Sequence, residues 1–324
     1  MKLGVMASSL GDLGWDRALA ACRHLRLDAI EIPCGAYPGD KLIDPKDALA
    51  DAALQRKIKD DVAAHGLIVS ALAVHGNPVH PDPATARAFE EAHDTAVRLA
   101  PKLRVSVVIN FSGCPGGAPG DRTPNWVTYP WPPDFKRILD YQWNEVLTPF
   151  WQRKAAEAAD EGVRIALEPH PGFCVYNPDT LLRLRRLTGG AIGANFDPSH
   201  FFWQGIDPVE AARLLGDAQA IYHVHAKDAG IDPHWTRLHG VLDTKPHADY
   251  VHRSWAFRTC GYGHGDDFWK PFVSMLRAKH YDGVLSIEHE DESMSVPEGL
   301  EKAATYLRGL LIREPVEAAW PALS

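Results

Sequence analysis

The sequence is poor in the features that mark several function classes. No CxxC pair occurs, and the five cysteines (Cys22, Cys34, Cys114, Cys174 and Cys260) are odd in number and scattered. That excludes a disulfide framework and predicts reduced thiols in a cytoplasmic protein. No apolar run approaches the roughly 20 residues that span a bilayer. The opening MKLGVMASSLGD turns polar too soon for a secretory signal. There is no run of Lys and Arg, and the net charge is −8, so the chain offers no general attraction for nucleic acid or an anionic membrane. No GxGxxG follows the first apolar run, which leaves SSLGDLGW (8–15) little claim on a dinucleotide. A glycine-rich strand-to-helix turn suited to phosphate is also missing, as are internal repeats and low-complexity tracts.

What is there is a regular alternation. Short apolar runs rich in β-formers occur at 2–7, 29–34, 68–76, 104–113, 163–170, 192–200, 220–228 and 283–291. Several are nearly continuous hydrophobics, as strands buried on both faces are. Helical patterns fall between and after them, at 15–25, 45–66, 83–100, 135–162, 178–190, 207–217, 266–281 and 297–311. Asn177-Pro178 and Asp207-Pro208 read as helix entries, a capping side chain followed by proline. Eight βα units predict an α/β fold, a closed (β/α)₈ TIM barrel in one domain over residues 1–324. The open doubly wound sheet is the competitor.

Two connections are long: 112–134 after the fourth strand and 229–265 after the seventh. Both follow strand C-termini, the face on which barrel active sites are built, and loops of that length more often close over a site than hang free. Their tryptophans (Trp126, Trp131, Trp235 and Trp255) are either sugar-stacking surfaces or loop packing.

The later strand tips carry the chemistry. Strand five ends in Leu-Glu168-Pro-His170 and strand six in Phe-Asp197-Pro-Ser-His200. Strand seven ends in His223-Val-His225-Ala-Lys227-Asp228 and strand eight in Ile-Glu288-His289-Glu290-Asp291. A carboxylate directly after a buried run is costly unless it is paired or holds a cation. Four successive tips bearing Glu, Asp, His and Glu converge on one barrel mouth, which predicts a metal site of three carboxylates and one imidazole. A structural charge network is the alternative. His223 and His225 project from the same strand face, but His225 lies nearer the C-terminal end, so it is the expected ligand and His223 its support. Glu288 is preferred over Glu290 on the same ground. An oxygen-rich set with one nitrogen and no thiolate suits Mn²⁺ first, then Mg²⁺ or Co²⁺, and not structural zinc.

The stretches LEPHPG, NFDPSH, HVHAKD, GYGHGDDFW and GVLSIEHED resemble the xylose isomerase-like TIM-barrel superfamily of sugar isomerases and epimerases. The resemblance covers essentially the whole chain, is strongest over 163–291, and looks closest to the subgroup called sugar phosphate isomerase/epimerase. It implies metal ligands at Glu168, Asp197, His225 and Glu288, with Glu168 and Glu288 doubling as the acid/base pair. It implies a substrate contact at His200, or a second-metal ligand there as in the apurinic endonucleases of this fold.

The chemistry expected of such a site is proton transfer next to a carbonyl through an enediolate. His170, Lys227, Arg258 and His264 are the candidates to hold hydroxyls or an oxyanion. The runner-up is a metal-dependent lyase that cleaves 3-oxo-C-glycosides by elimination. An endonuclease would need further ligands, for which His75, His200 and His264 are available, but the acidic balance opposes it. A non-catalytic sugar-binding barrel would keep the tryptophans and has no need of the ligands. The expected partner is a small unphosphorylated sugar or glycoside, with a homo-oligomer or partner subunit by family analogy.

Overall fold

The structure, a computed structural model, describes residues 1–314. The apolar runs form strands β1 (Lys2–Met6), β2 (Ala29–Pro33), β3 (Ile68–Ala73), β4 (Val107–Asn110), β5 (Arg164–Leu167), β6 (Ile192–Phe196) and β7 (Ile221–Ala226). Beyond them come β8 (Asp228–Ile231), β9 (Trp255–Arg258) and β10 (Val284–Ile287). Eight of these close a parallel barrel in the order β1-β10-β7-β6-β5-β4-β3-β2, while β8 and β9 pair separately. The seam between β1 and β10 sets Gly4 opposite Ser286. A Cβ on Gly4 would stand 2.7 Å from Val284 Cγ1 and 3.1 Å from the Ala29 carbonyl, so closure there needs glycine.

Strand alternation sorts the residues into two sets. Leu3, Val5, Ile30, Ile32, Val224, Leu285 and Ile287 pack outward with Trp151, Trp269 and Phe272 in the main core between strands and helices. The intervening positions face the barrel axis. Some of them form a small apolar cluster of Ala71, Val107, Ile109 and Ala166. Others are polar and buried: Glu31, Asn195, His223, His225 and Ser286. Barrel interiors are ordinarily filled by branched aliphatic residues, so this polar layer marks where the fold is put to use.

Helix starts follow one recipe. Asp44, Asp82, Asn177, Asp207 and Asp232 each accept hydrogen bonds from backbone N–H groups of the first turn, and each is followed by proline. Two expected helices are interrupted. Residues 45–66 divide into Pro45–Ala50 and Ala52–Ala64, because Asp51 turns to extended backbone and caps the second piece. Residues 135–162 become Pro133–Tyr141, a π-helical turn over Gln142–Leu147, and Thr148–Asp160. Pro149 supplies no N–H and its ring crowds the carbonyl four residues back, which the wider turn relieves. The turn aims the Gln142 amide at the 112–134 connection, where it donates to the carbonyls of Pro115, Gly116 and Asn125. The 229–265 connection is built too: β8 and β9 form an antiparallel pair enclosing a helix at Pro233–His239. Among the described residues, no helix is long and apolar enough to cross a membrane.

Candidate metal centre

The four donors expected at the strand tips are brought together. Ligand atoms of Glu168, Asp197, His225 and Glu288 all lie within 4.8 Å of one another. His225 Nδ1 stands 3.2 Å from Glu168 Oε2 and 3.2 Å from Glu288 Oε2. Asp197 uses Oδ1 to accept from the Ser199 N–H at 2.8 Å, which turns Oδ2 towards the mouth. There Oδ2 lies 3.2 Å from His200 Nε2 and 3.6 Å from Lys227 Nζ. Among the described residues, neither Asp197 Oδ2 nor His225 Nδ1 has a hydrogen-bond partner, although both are buried. Orphaned buried atoms of this kind need an explanation.

Charge balance supplies one. Glu31, Glu168, Asp197 and Glu288 crowd one small volume with Glu290 at its rim, and among the described residues Lys227 is the one Lys or Arg that pairs with any of them, 3.6 Å from Asp197, 3.0 Å from Glu288 and 2.5 Å from Glu290. Burial would lift the Glu168 carboxyl, but His200, His225 and His75 hold it well below the usual carboxylate range. Burial likewise opposes the charged form of His225, yet the carboxylates of Glu31, Glu288 and Glu168 push it well above an ordinary imidazole. Asp197 is raised, because burial outweighs the neighbouring His200 and Lys227. A site with this surplus of negative charge, an orphaned carboxylate oxygen and an orphaned imidazole nitrogen fits a divalent cation held by oxygen and one nitrogen.

The remaining expected residues divide. His200 Nε2 bridges Glu168 Oε1 at 3.0 Å and Asp197 Oδ2 at 3.2 Å. His170 sits beside it, ring centroids 4.0 Å apart, with Nδ1 fixed 2.6 Å from the Pro171 carbonyl. Burial, then the neighbouring His200, holds His170 well below an ordinary imidazole. Lys227 is buried under the ring of Phe257, 4.1 Å from its centroid. His75 reaches Glu168 Oε2 at 3.2 Å.

Arg258 and His264 each stand beside a carboxylate outside the four-donor cluster. Arg258 Nε lies 3.6 Å from Asp291 Oδ2, and His264 bonds to Asp228 at 2.8 Å and stacks on Phe202. Of the loop tryptophans, Trp255 is buried in a stack with Trp203 and Trp126 packs edge-on against Tyr176. Trp235 stacks on His239, and Trp131 is exposed.

Three residues went unnoticed in the sequence: Glu31, Asn195 and Ser286. Asn195 Nδ2 donates to Glu168 Oε2 at 2.7 Å, and its Oδ1 lies 2.9 Å from His223 Nδ1. Glu31 Oε2 accepts from Ser286 Oγ at 2.7 Å, and both its oxygens lie 3.1 Å from His225 Nε2. The signal was present for Glu31, a carboxylate in the middle of the apolar run AIEIP.

Comparison with known proteins agrees with this architecture. The chain is 36% identical over 312 residues to the uncharacterized protein YfiH of Bacillus subtilis (strain 168), which covers 95% of this chain and 98% of that one. The probable 3-DHS dehydratase AsbF of Bacillus anthracis superposes with a TM-score of 0.64 at 13% identity, over 95% of this chain and 99% of that one. A D-tagatose 3-epimerase-like protein does so with a TM-score of 0.63 at 19% identity, over 96% of this chain and 97% of that one. At such identities these two structures share the fold. The family profile described as xylose isomerase-like TIM barrel matches residues 19–310, and with the closed barrel it establishes that the chain belongs to that family.

Proposed function

We propose that the protein is a divalent-metal-dependent sugar isomerase or epimerase that moves a proton next to a carbonyl. The observation that carries this reading is the meeting of Glu168, Asp197, His225 and Glu288 within 4.8 Å at one barrel mouth. These residues would hold the cation, with Mn²⁺ the first choice and Mg²⁺ or Co²⁺ next. When bound, a divalent cation polarises a carbonyl and lowers the cost of the enediolate that follows proton loss.

The chain's own groups do the rest. Glu288 is the more open of the two glutamates, its side chain 16% exposed against 3% for Glu168. Burial would protonate it, but the Lys227 ammonium and then His225 keep its carboxyl below the usual range, so it is charged and ready to accept a proton. Glu168 is enclosed by His75, His200 and His225, and His200 is placed to pass a proton between Glu168 and Asp197. Lys227 flanks the mouth as a donor for substrate oxygens, and His170, neutral with its N–H on the Pro171 carbonyl, offers Nε2 as an acceptor for a substrate hydroxyl. The substrate would be an unphosphorylated sugar or glycoside.

The second reading is elimination from a 3-oxo-glycoside, which begins with the same proton abstraction. It is favoured by the aromatic lining beside the donors: Phe111 and Phe173 stack at 4.4 Å next to His170, and Phe257 lies against His200 and Lys227. Such walls suit a ring attached to the sugar.

Incubating the Mn²⁺-loaded protein in D₂O with a panel of ketoses and 3-oxo-glycosides tests both. Solvent deuterium should enter at the carbon next to the carbonyl, with an epimer or isomer as product in the first reading and a released aglycone in the second. Glu168→Gln and Glu288→Gln should each lower kcat by about 10²–10⁴-fold, more than they raise KM, with metal occupancy measured alongside. Turnover of a sugar with no exchange at any carbon, from substrate or from product, would sink the proton-transfer mechanism.

A further inference from the structure

We infer that Glu31, at the centre of β2, is the positioning residue of the metal centre: it holds His225 by Nε2 so that Nδ1 faces Glu168 and Glu288. The inference rests on the metal reading above and adds a residue that acts through a ligand.

Glu31 is fully buried and faces the barrel axis, while Ile30 and Ile32 on either side pack outward. A carboxylate so placed is expensive unless its oxygens are hydrogen-bonded. Both are. Oε1 and Oε2 each lie 3.1 Å from His225 Nε2, and Oε2 also accepts from Ser286 Oγ at 2.7 Å. Ser286 and His225 are register partners on β10 and β7, so the two groups that grip Glu31 come from adjacent strands facing β2 across the interior.

An imidazole ring has two nitrogens, and a hydrogen bond at one decides what the other offers. With both Glu31 oxygens at Nε2, an N–H is held there, and Nδ1 is the nitrogen that would give up its proton and offer a lone pair to a cation. That nitrogen is the buried one with no hydrogen-bond partner among the described residues. It points at the two carboxylates that would share the cation, 3.2 Å from each.

Glu168 is backed in a parallel way. Asn195 donates to its Oε2, His223 Nδ1 bonds Asn195 Oδ1, and His223 Nε2 ends 3.8 Å from Glu31 Oε2. Glu31 therefore steadies His225 directly, while Glu168 is backed through Asn195 and His223, a separate arm whose His223 Nε2 has no hydrogen-bond partner among the described residues. This accounts for a charge fully buried in the barrel interior. The same atoms admit a competitor, since Glu31, His223 and His225 also bring donors within 4.8 Å of one another. A cation there would use His225 Nε2 and compete with the hydrogen bonds just described.

The test compares wild type with Glu31→Gln, Ser286→Ala, His225→Ala and the Glu31→Gln/His225→Ala pair, using the full chain. Mn²⁺ binding is read by equilibrium dialysis, and the melting temperature of the chelated proteins is read separately. Groups that support a ligand typically change metal affinity by about 10–100-fold, and Glu31→Gln should lose that much. Its metal-free melting temperature should stay near wild type, because the side-chain volume is kept and the amide oxygen can still accept from Ser286, while the neutral amide, with an NH₂ in place of one oxygen, no longer grips His225 Nε2 with two charged acceptors. Ser286→Ala should lose less. In the His225→Ala background, Glu31→Gln should cost no further affinity, the signature of a residue that works through His225.

Unchanged affinity in Glu31→Gln, or losses that simply add in the pair, would overturn the inference. So would a metal-free melting temperature that falls in step with affinity, which marks a merely structural role. Two Mn²⁺ per wild-type chain, one of them lost in Glu31→Gln, would replace it by a deeper cation site. If wild type binds no Mn²⁺, both this inference and the metal reading fail; normal wild-type binding with an unaffected Glu31→Gln overturns this inference alone.

Discussion

The Lys227 ammonium lies 3.0 Å from Glu288 Oε2, Lys227 buried and Glu288 partly buried at the barrel mouth. Burial by itself would push the Glu288 carboxyl up; Lys227 is the first of the groups that hold it below the usual range. Lys227→Met should therefore raise the Glu288 pKa and move the acid limb of the kcat/KM profile to higher pH. Loss of the positive charge should also lower kcat/KM by about 10²-fold or more. An acid limb that stays in place would show that Glu288 does not titrate as the base.

His223 and His225 should behave differently when shortened. His225→Ala removes the nitrogen between Glu168 and Glu288 and should abolish tight Mn²⁺ binding. His223→Ala leaves that nitrogen in place. Burial holds His223 down to about 4, so it is neutral in the folded protein, and its loss should cost mainly stability through a cavity and an unpaired Asn195 oxygen. Equal loss of Mn²⁺ by both variants in equilibrium dialysis would refute the division of roles.

Exhaustive chelation should lower the melting temperature as well as the activity, since a ligand bound only by the native state stabilises it by mass action, about 2.7 kcal/mol at a hundredfold excess over Kd. Mn²⁺ should restore both. A chelated protein with full activity and an unchanged melting temperature rules out the metal.

His93 provides a pH test away from the mouth. It is buried edge-on against Trp151 with Nδ1 3.2 Å from the Asn110 amide, and burial holds its pKa down to about 3. The folded value lies below the unfolded one of about 6.5. Unfolding therefore takes up a proton between these values, and stability falls as pH drops from about 6.5 towards about 3. The slope reaches about 1.4 kcal/mol per pH unit for this one group. His93→Gln should flatten urea-derived stability against pH by one proton over that window; identical slopes would contradict the assignment.

Asp228 anchors the loop that follows β9. Its Oδ2 accepts from the backbone N–H groups of Gly261, Gly263 and His264, and its Oδ1 from Ala229 N–H. A Cβ on Gly263 would stand 2.5 Å from Asp228 Oδ1, so the loop approaches this closely only because residue 263 is glycine. Asp228→Asn turns a donor against donors and should cost about 1.5–3 kcal/mol, as for buried hydrogen bonds to a charged group. Denaturant unfolding measures the loss, and limited proteolysis should show faster cleavage within 259–265. Unaltered protection there would mean other contacts hold the loop.

The barrel was legible because strands buried on both faces cannot hide: VRIAL, IGANF and GVLSI are nearly unbroken apolar runs, each followed at once by a carboxylate. The rim donors were legible for the same reason, since Glu168, Asp197 and Glu288 interrupt such runs where they should end. Glu31 escaped because its partners, His225 and Ser286, are 194 and 255 residues away in sequence. Only barrel closure brings β2 opposite β7 and β10. Arg258 and His264 are candidate substrate contacts on residue type and loop position; the carboxylates beside them, Asp291 and Asp228, are neighbours that loop spacing does not reveal. The break at Asp51 was readable in hindsight, an aspartate before Ala-Ala inside a helical pattern, but helical periodicity across it concealed the cap.

The π-helical turn over Gln142–Leu147 makes the support of the 112–134 connection adjustable independently of the barrel. A helix advances about 100° per residue, and this turn carries one residue more than a regular helix would. Deleting a single residue there would restore ordinary winding while keeping Phe150 and Trp151 in the core. It would also swing Gln142 about a quarter-turn away from the carbonyls of Pro115, Gly116 and Asn125, releasing the 112–134 connection. Lineages of this family could thus lengthen, shorten or re-aim that connection by one-codon insertions and deletions in a helix, leaving every donor at the strand tips where it is.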